Sequence, residues 1–227
     1  MDRGERTRSD EEPFPVELRD AFLARAQKTK IGRRQLIISE GSHSTEVYLI
    51  CSGRVQITLY SLHGREVILR EMGPNQIFGE LAAIDRQPRS ANVEALEDSL
   101  LACMRGEQFV DFLGAVPKAG LWMSRQLVAR IRNLTSRAFE LATMPVAGRV
   151  QSELLRLARE ADAGPDRPVT LPLPTHADLA ARIGTHREAV TRELNFLASE
   201  GILRQSGRSV EISSVAKLNA LCDRFRR

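Results

Sequence analysis

The sequence predicts an α+β chain in three successive parts: an N-terminal β jelly-roll, one long helix, and a C-terminal helical unit closed by a hairpin. Three observations carry this. Between residues 31 and 105 the apolar residues fall in short alternating runs broken by glycine, serine and asparagine, the mark of several short strands. Over residues 117–143 the apolar spacing lengthens to three and four, the period of a helix. Beyond residue 144, two short helical patterns flank Gly184 and lead into a second alternating stretch.

Taken in order, residues 1–14 are polar, charged and proline-ended, and are expected to form a flexible tail. The roll is assigned to residues 15–116. Its lead-in, residues 15–29, carries Val16, Leu18, Phe22, Leu23 and Ala26 at helical spacing. The strands follow as Leu36-Ile37-Ile38, Val47-Tyr48-Leu49-Ile50, Val55 to Tyr60, Val67-Ile68-Leu69 and Leu100 to Cys103, with turn signals at Gly41, Gly53, Gly64 and Gly73.

The helix over 117–143 places Gly120, Ser124, Leu127, Ile131, Leu134, Ala138 and Leu141 at alternating steps of four and three. That is a heptad seam, apolar in its C-terminal half, with Arg125, Arg130, Arg132 and Arg137 on the flanks. One face packed on the roll would explain part of it. A parallel pairing of two such helices explains the regular repeat better, with Leu127, Ile131, Leu134, Ala138 and Leu141 as the dimer seam. Thr143-Met144-Pro145 reads as a helix restart, Thr as cap and Pro in the first turn, opening the last domain at residue 144.

Composition bounds the function. The 227 residues are 42% hydrophobic and 27% charged, as in a soluble globular protein with room for two domains. No apolar run approaches the roughly 20 residues that cross a bilayer. The charged opening Met1-Asp2-Arg3-Gly4-Glu5-Arg6 holds no apolar core, so no signal peptide is expected. Cys51, Cys103 and Cys222 are far apart, which predicts buried free thiols in a reducing, cytoplasmic setting. The four histidines have no metal spacing and no nucleophile motif appears, so no enzyme is expected. A net charge of +4 permits nucleic-acid binding without arguing for it.

The densest chemistry lies in residues 73–95. Gly79-Glu80-Leu81-Ala82-Ala83-Ile84 opens a single turn whose backbone N–H groups would converge on an anion. Arg89 adds a planar, permanent cation whose fork fits phosphate, Ser90 a further donor, and Glu80 an acceptor for sugar hydroxyls. These parts suit a small, singly charged, ribose-bearing phosphate. Phe78-Gly79-Glu80-Leu81-Ala82, followed after a bend by Pro88-Arg89-Ser90-Ala91, resembles the phosphate-binding cassette of the cyclic-nucleotide-binding domain. The resemblance implies that Gly79, Glu80, Leu81, Ala82, Arg89, Ser90 and Ala91 hold the ligand, with Glu80 on the ribose 2′-hydroxyl. It also places Gly41, Gly53 and Gly73 at corners of the roll.

The second constellation runs from Thr175 to Leu203. Thr175-His176-Ala177-Asp178 is a capping-box start with Asp in place of Glu or Gln, and Gly184 ends that helix. Thr185-His186-Arg187-Glu188 caps the next, which runs through Val190, Leu194 and Leu197 to Gly201. This is helix-turn-helix geometry, in which the start of the second helix meets base edges in the major groove. Arg can fork onto guanine and Glu can accept from cytosine. Residues 202–212 read as a β-hairpin, the wing, with Arg208 near phosphate at its tip. The residues expected on DNA are Thr175, Thr185, His186, Arg187, Glu188, Thr191, Arg192 and Arg208.

From about residue 15 to 215, the two motifs in this order around a long helix resemble the CRP/FNR superfamily, the catabolite-activator and fumarate-nitrate-regulator proteins. The resemblance implies a homodimeric transcription regulator with a cyclic-nucleotide-binding roll and a winged helix-turn-helix. Its expected partners are palindromic double-stranded DNA, with half-sites near the TGTGA type, and RNA polymerase, with no membrane. The implied effector is cAMP or cGMP, without a metal, haem or iron–sulfur cluster. In the family's cyclic-AMP receptors a pair of hydroxyl or amide residues contacts adenine where this chain has Leu134-Thr135. Thr135 keeps one hydroxyl and Leu134 replaces the other, so cAMP and cGMP both stay open. Two alternatives remain: the same fold with another effector or none, and a nucleotide-binding module acting on a partner protein.

Overall fold

The computed structural model describes residues 14–61, 66–161, 168–207 and 209–225. They form two compact units, one ending at Val128 and the other beginning at Ala129, so the break falls inside a continuous helix.

In the first unit, α1 (Val16–Leu23) precedes eight strands: β1 (Gln27–Ile31), β2 (Leu36–Ile38), β3 (Val47–Ser52), β4 (Val55–Tyr60), β5 (Glu66–Met72), β6 (Ile77–Phe78), β7 (Asn92–Ala95) and β8 (Ser99–Met104). Between β6 and β7 lies α2 (Glu80–Asp85), and after β8 come α3 (Gly106–Ala115) and the start of α4 (Pro117–Thr143). The strands make two antiparallel four-stranded sheets, ordered β1-β8-β3-β6 and β2-β7-β4-β5. This is the jelly-roll that the alternating runs predict.

Alternation sorts the side chains of the first sheet. Val47 and Leu49 of β3 and Ala102 and Met104 of β8 face a cluster with Phe22, Phe109, Phe112 and Trp122 from the helices. Ile50 and Leu101 face the interior of the roll, with Val55, Phe78 and Val93. Tyr48 packs against that inner cluster, so the strand offers it to the interior.

One expectation changes. The lead-in helix ends at Leu23, and β1 already runs from Gln27. Its polar QKTK segment hides the strand, because only Ile31 of this edge strand is buried. Gly53 does turn a corner, at φ +89, where a Cβ would fall 2.1 Å from Ser99 Oγ. Gly73 also lies at a corner, between β5 and β6, where the left-handed residue is Asn75, φ 63.

The first half of α4 packs Ala119, Trp122 and Met123 into the helix-side core, with Leu127 half-buried against it. The second unit begins with the rest of α4 and continues with α5 (Val146–Glu160), β9 (Val169–Pro172), α6 (His176–Ile183), α7 (Arg187–Ser199), β10 (Leu203–Ser206), β11 (Ser209–Ile212) and α8 (Val215–Asp223). Its core joins Val150, Leu154 and Ala158 of α5 with Leu179, Val190, Leu194, Val210, Ile212 and Leu218. Strands β10 and β11 form the expected hairpin, and β9 adds a third strand by pairing antiparallel with β11.

The helix restart also differs from expectation. Thr143 is the last residue of α4, its hydroxyl donating to the Phe139 carbonyl, and Pro145 is the N-cap of α5. Proline bars its predecessor from helical geometry, so the break falls at Met144. Just across that break sits an ionic cluster. Glu153 is buried at 2% exposure and takes Arg156 and, at 3.6 Å, Arg182 Nη1 of α6. Arg156 also reaches Glu140 of α4 at 3.4 Å. Burial pushes the Arg137 guanidinium below its ordinary value, and neighbouring Arg156 adds to this while Glu153 and Glu140 oppose it.

Candidate functional site

The site starts where β6 runs out. Ile77 and Phe78 are buried, and Gly79 leaves the strand in the left-handed region, φ 84, to cap α2. A Cβ there would lie 2.7 Å from the Glu46 carbonyl and 2.9 Å from Arg89 Nη1, so glycine serves both the turn and the close approach. Glu80, Ala82 and Ala83 are buried, while Leu81 and Ile84 face out. The turn ends at Arg86, itself left-handed, whose N–H donates to Ala82.

The chain then returns under the roll. The Arg89 N–H donates to the Ser42 carbonyl at 2.9 Å, and the Gly41 N–H donates to the Arg89 carbonyl at 2.9 Å. Held at both main-chain groups, Arg89 sends its side chain inward to 4% exposure. Nε donates to Ser44 Oγ (2.9 Å), Nη1 to the Gly79 carbonyl (2.7 Å) and Nη2 to the Glu46 carbonyl (2.7 Å). The Glu46 carboxylate lies 3.6 Å from Nη2. Burial lowers the Arg89 pKa, and Tyr48, Glu46 and Glu80 nearby act in the opposite sense. The guanidinium is thus held in one orientation by groups of the protein itself.

Tyr48 stacks on Phe78, centroids 5.0 Å apart and planes 14° off parallel. Its pKa is pushed up to about 12, first by burial and then by Cys103 and Glu46, with Arg89 opposing. Cys103, opposite Tyr48 in the β3–β8 register, is raised chiefly by burial and next by Glu46. Contrary to the expectation of buried thiols, Cys51 and Cys103 are only partly buried; Cys222 is buried, and all three are free.

The structure therefore brings Gly79, Glu80 and Arg89 together, with Ala82 and Ala91 buried beside them and Leu81 and Ser90 exposed. It adds Ser44, Glu46, Tyr48 and Cys103, which sequence reading missed. The β3–β8 register delivers Tyr48 and Cys103, the segment just before β3 delivers Ser44 and Glu46, and no local motif marks either.

On α4 the expected seam divides. Ile131 (62%), Leu134 (61%), Ala138 and Leu141 are exposed, whereas Leu127 is half-buried against the helix-side core of the roll. Thr135 is exposed and its hydroxyl donates to the Ile131 carbonyl at 2.8 Å.

The helix pair carries its predicted start: Thr175 Oγ1 accepts from the Asp178 N–H at 3.1 Å, and the Asp178 carboxylate accepts from the Thr175 N–H at 3.3 Å. Gly184, φ 67, closes α6. The next cap is His186, not Thr185, and it makes no side-chain cap bond. Thr185 is buried in the turn, donating its N–H to Ala180. Arg187, Glu188 and Arg192 stand exposed on α7, as does His186 before them. The Thr191 hydroxyl sits 3.0 Å from the Arg187 carbonyl and 2.8 Å from His176 Nδ1, tying α7 to the start of α6. Arg208 lies outside the described residues.

Comparison with known proteins follows the same two blocks. Residues 28–115 match the cyclic nucleotide-binding domain family, and residues 148–221 match the Crp-like helix-turn-helix domain family. The chain is 30% identical over 202 residues to the cyclic AMP receptor protein of Thermus thermophilus, covering 89% of this chain and 91% of that one. It is 30% identical over 200 residues to the CRP-like cAMP-activated global transcriptional regulator of Mycobacterium tuberculosis, covering 87% and 89%. Its fold is similar to that of the c-di-GMP-responsive global regulator CLP of Xanthomonas campestris, with a TM-score of 0.76 at 24% identity over 87% of this chain and 99% of that one.

Proposed function

Because the chain belongs to the CRP/FNR superfamily of cyclic-nucleotide-binding transcription regulators, we propose that it is a cytoplasmic homodimer whose operator binding is controlled by cAMP or cGMP. The observation that carries the effector is Arg89, buried and aimed by Ser44, Gly79 and Glu46 in the segment that follows the Gly79-Glu80 turn. A cyclic phosphodiester is the anion that a single pre-oriented guanidinium suits. Glu80 takes the ribose hydroxyl in this reading, and Ser90 a phosphate oxygen.

The exposed Ile131, Leu134, Ala138 and Leu141 support a second copy on α4. A monomer in sedimentation at micromolar concentration would overturn the dimer. Arg187, Glu188 and Arg192 meet the bases of a palindromic operator, where the dimer works with RNA polymerase.

Calorimetric titration with cAMP and cGMP in parallel tests the effector. Micromolar or tighter binding of either is expected, and the ratio of the two measures base preference. A second reading, another effector in the same roll, is favoured by Leu134, whose exposed apolar side chain offers a base edge no hydrogen bond. Silence with both nucleotides selects it.

A further inference from the structure

We propose that Glu46 selects the charge of the phosphate the cassette accepts, admitting a singly charged phosphodiester and rejecting a doubly charged phosphomonoester; this rests on the nucleotide-binding reading above. A guanidinium has five N–H donors. Three are committed among the described residues, to Ser44 Oγ, the Gly79 carbonyl and the Glu46 carbonyl. That leaves one N–H on each Nη for an incoming anion. The Glu46 carboxylate already stands 3.6 Å from Nη2, and at 41% side-chain exposure it sits on the solvent side of the nearly buried Arg89. Any phosphate oxygen that reaches Nη2 must approach this carboxylate.

The charges around Arg89 leave little room for a second negative charge. Glu46 faces it from the segment before β3 and Glu80 from α2, two carboxyl groups against one guanidinium. Tyr48 from β3 and Cys103 from β8 are held protonated by burial and stay neutral near physiological pH. A cyclic nucleotide brings one charge, which Arg89 can match. A linear nucleoside monophosphate brings nearly two, because its second ionisation lies near pH ~6. Its extra charge finds Glu46 at close range, in a partly buried place where salt screens poorly.

The test compares the cyclic nucleotide with its linear 5′-monophosphate, cAMP with AMP and cGMP with GMP, on the full chain and on Glu46→Gln and Glu46→Asp. Both variants keep the main-chain carbonyl that positions Arg89. Glu46→Gln is expected to cut the preference for the cyclic form roughly tenfold, a step of about 1.4 kcal/mol. Glu46→Asp keeps the charge and the preference. Lowering the pH from about 7.5 to about 6 converts about half of the monoester to its singly charged form, so the wild-type preference narrows while that of Glu46→Gln stays nearly flat. A purely structural role would not tie the preference to the ligand's own ionisation. An unchanged preference in Glu46→Gln overturns the role of Glu46 alone. A wild type and variant that both bind neither cyclic nucleotide overturn the nucleotide reading, and this inference with it.

Discussion

Arg89 Nη1 donates to the carbonyl of Gly79 across 2.7 Å, so the two halves of the cassette, ten residues apart, hold each other. The same guanidinium spans Ser44 Oγ and the Glu46 carbonyl, which no single ammonium can do. Arg89→Lys is therefore expected to weaken cyclic-nucleotide binding at least about tenfold, close to the loss in Arg89→Ala, because charge without the fork does not restore the site. Near-normal affinity of the Lys variant in calorimetry would show that charge alone suffices.

Tyr48 predicts an alkaline weakness. Its pKa in the fold is about 12, against about 10 in an unfolded chain. As pH rises through that window the unfolded chain loses its proton first and the folded chain keeps it. Stability therefore falls from about pH 10 to about pH 12, by at most ~1.4 kcal/mol per unit from this residue. Urea titrations across the window should show a shallower loss in Tyr48→Phe; identical slopes would remove Tyr48 from the account.

At the Met144 break, Glu153 is the carboxylate on which α5 and α6 converge through Arg156 and Arg182. Removing it takes a buried carboxylate from both guanidinium groups, leaving Arg156 its bridge to Glu140. Glu153→Ala is expected to cost about 3 kcal/mol or more in the second unit, the scale for breaking a buried pair from one side. A melting midpoint like that of the wild type would place these charges in better contact with water than their burial indicates.

Arg187 is exposed at the first position of α7, so Arg187→Ala should leave folding and ligand binding intact. Specific operator binding should fall, for each half-site, by the roughly 1–3 kcal/mol of one bidentate base contact, or about fivefold to 150-fold. A gel shift of operator DNA at wild-type protein concentration would move the readout elsewhere on the helix.

The fold class was legible because the periods are long and clean, and the cassette because its residues are nearly contiguous. Gly79, Glu80 and Arg89 announce themselves within eleven positions. Ser44, Glu46, Tyr48 and Cys103 do not, since the β3–β8 register and the segment leading into β3, far from Arg89 in sequence, set them beside it. Strand β1 escaped for the opposite reason: QKTK looks like loop, and pairing with β8 overrides its polarity. Thr185 reads as a cap because threonine is a good one, yet burial in the turn takes it and leaves the cap to His186. Heptad spacing gave the stripe on α4, but spacing alone cannot say that Leu127 turns to its own roll while Ile131 does not.

The pairing of β9 with β11 reaches further than the hairpin it completes. Val169 to Pro172 precede α6, and β11 follows α7, so the ladder Pro172↔Ser209 to Val169↔Ile212 fastens the two ends of the chain that contains both helices. Neither helix can come loose while that ladder stands, and the ladder gains little by forming before the helices are in place. The helix pair and its wing are thus one unit of melting: their amides should exchange with solvent together, at one common free energy, instead of fraying from the hairpin tip inward.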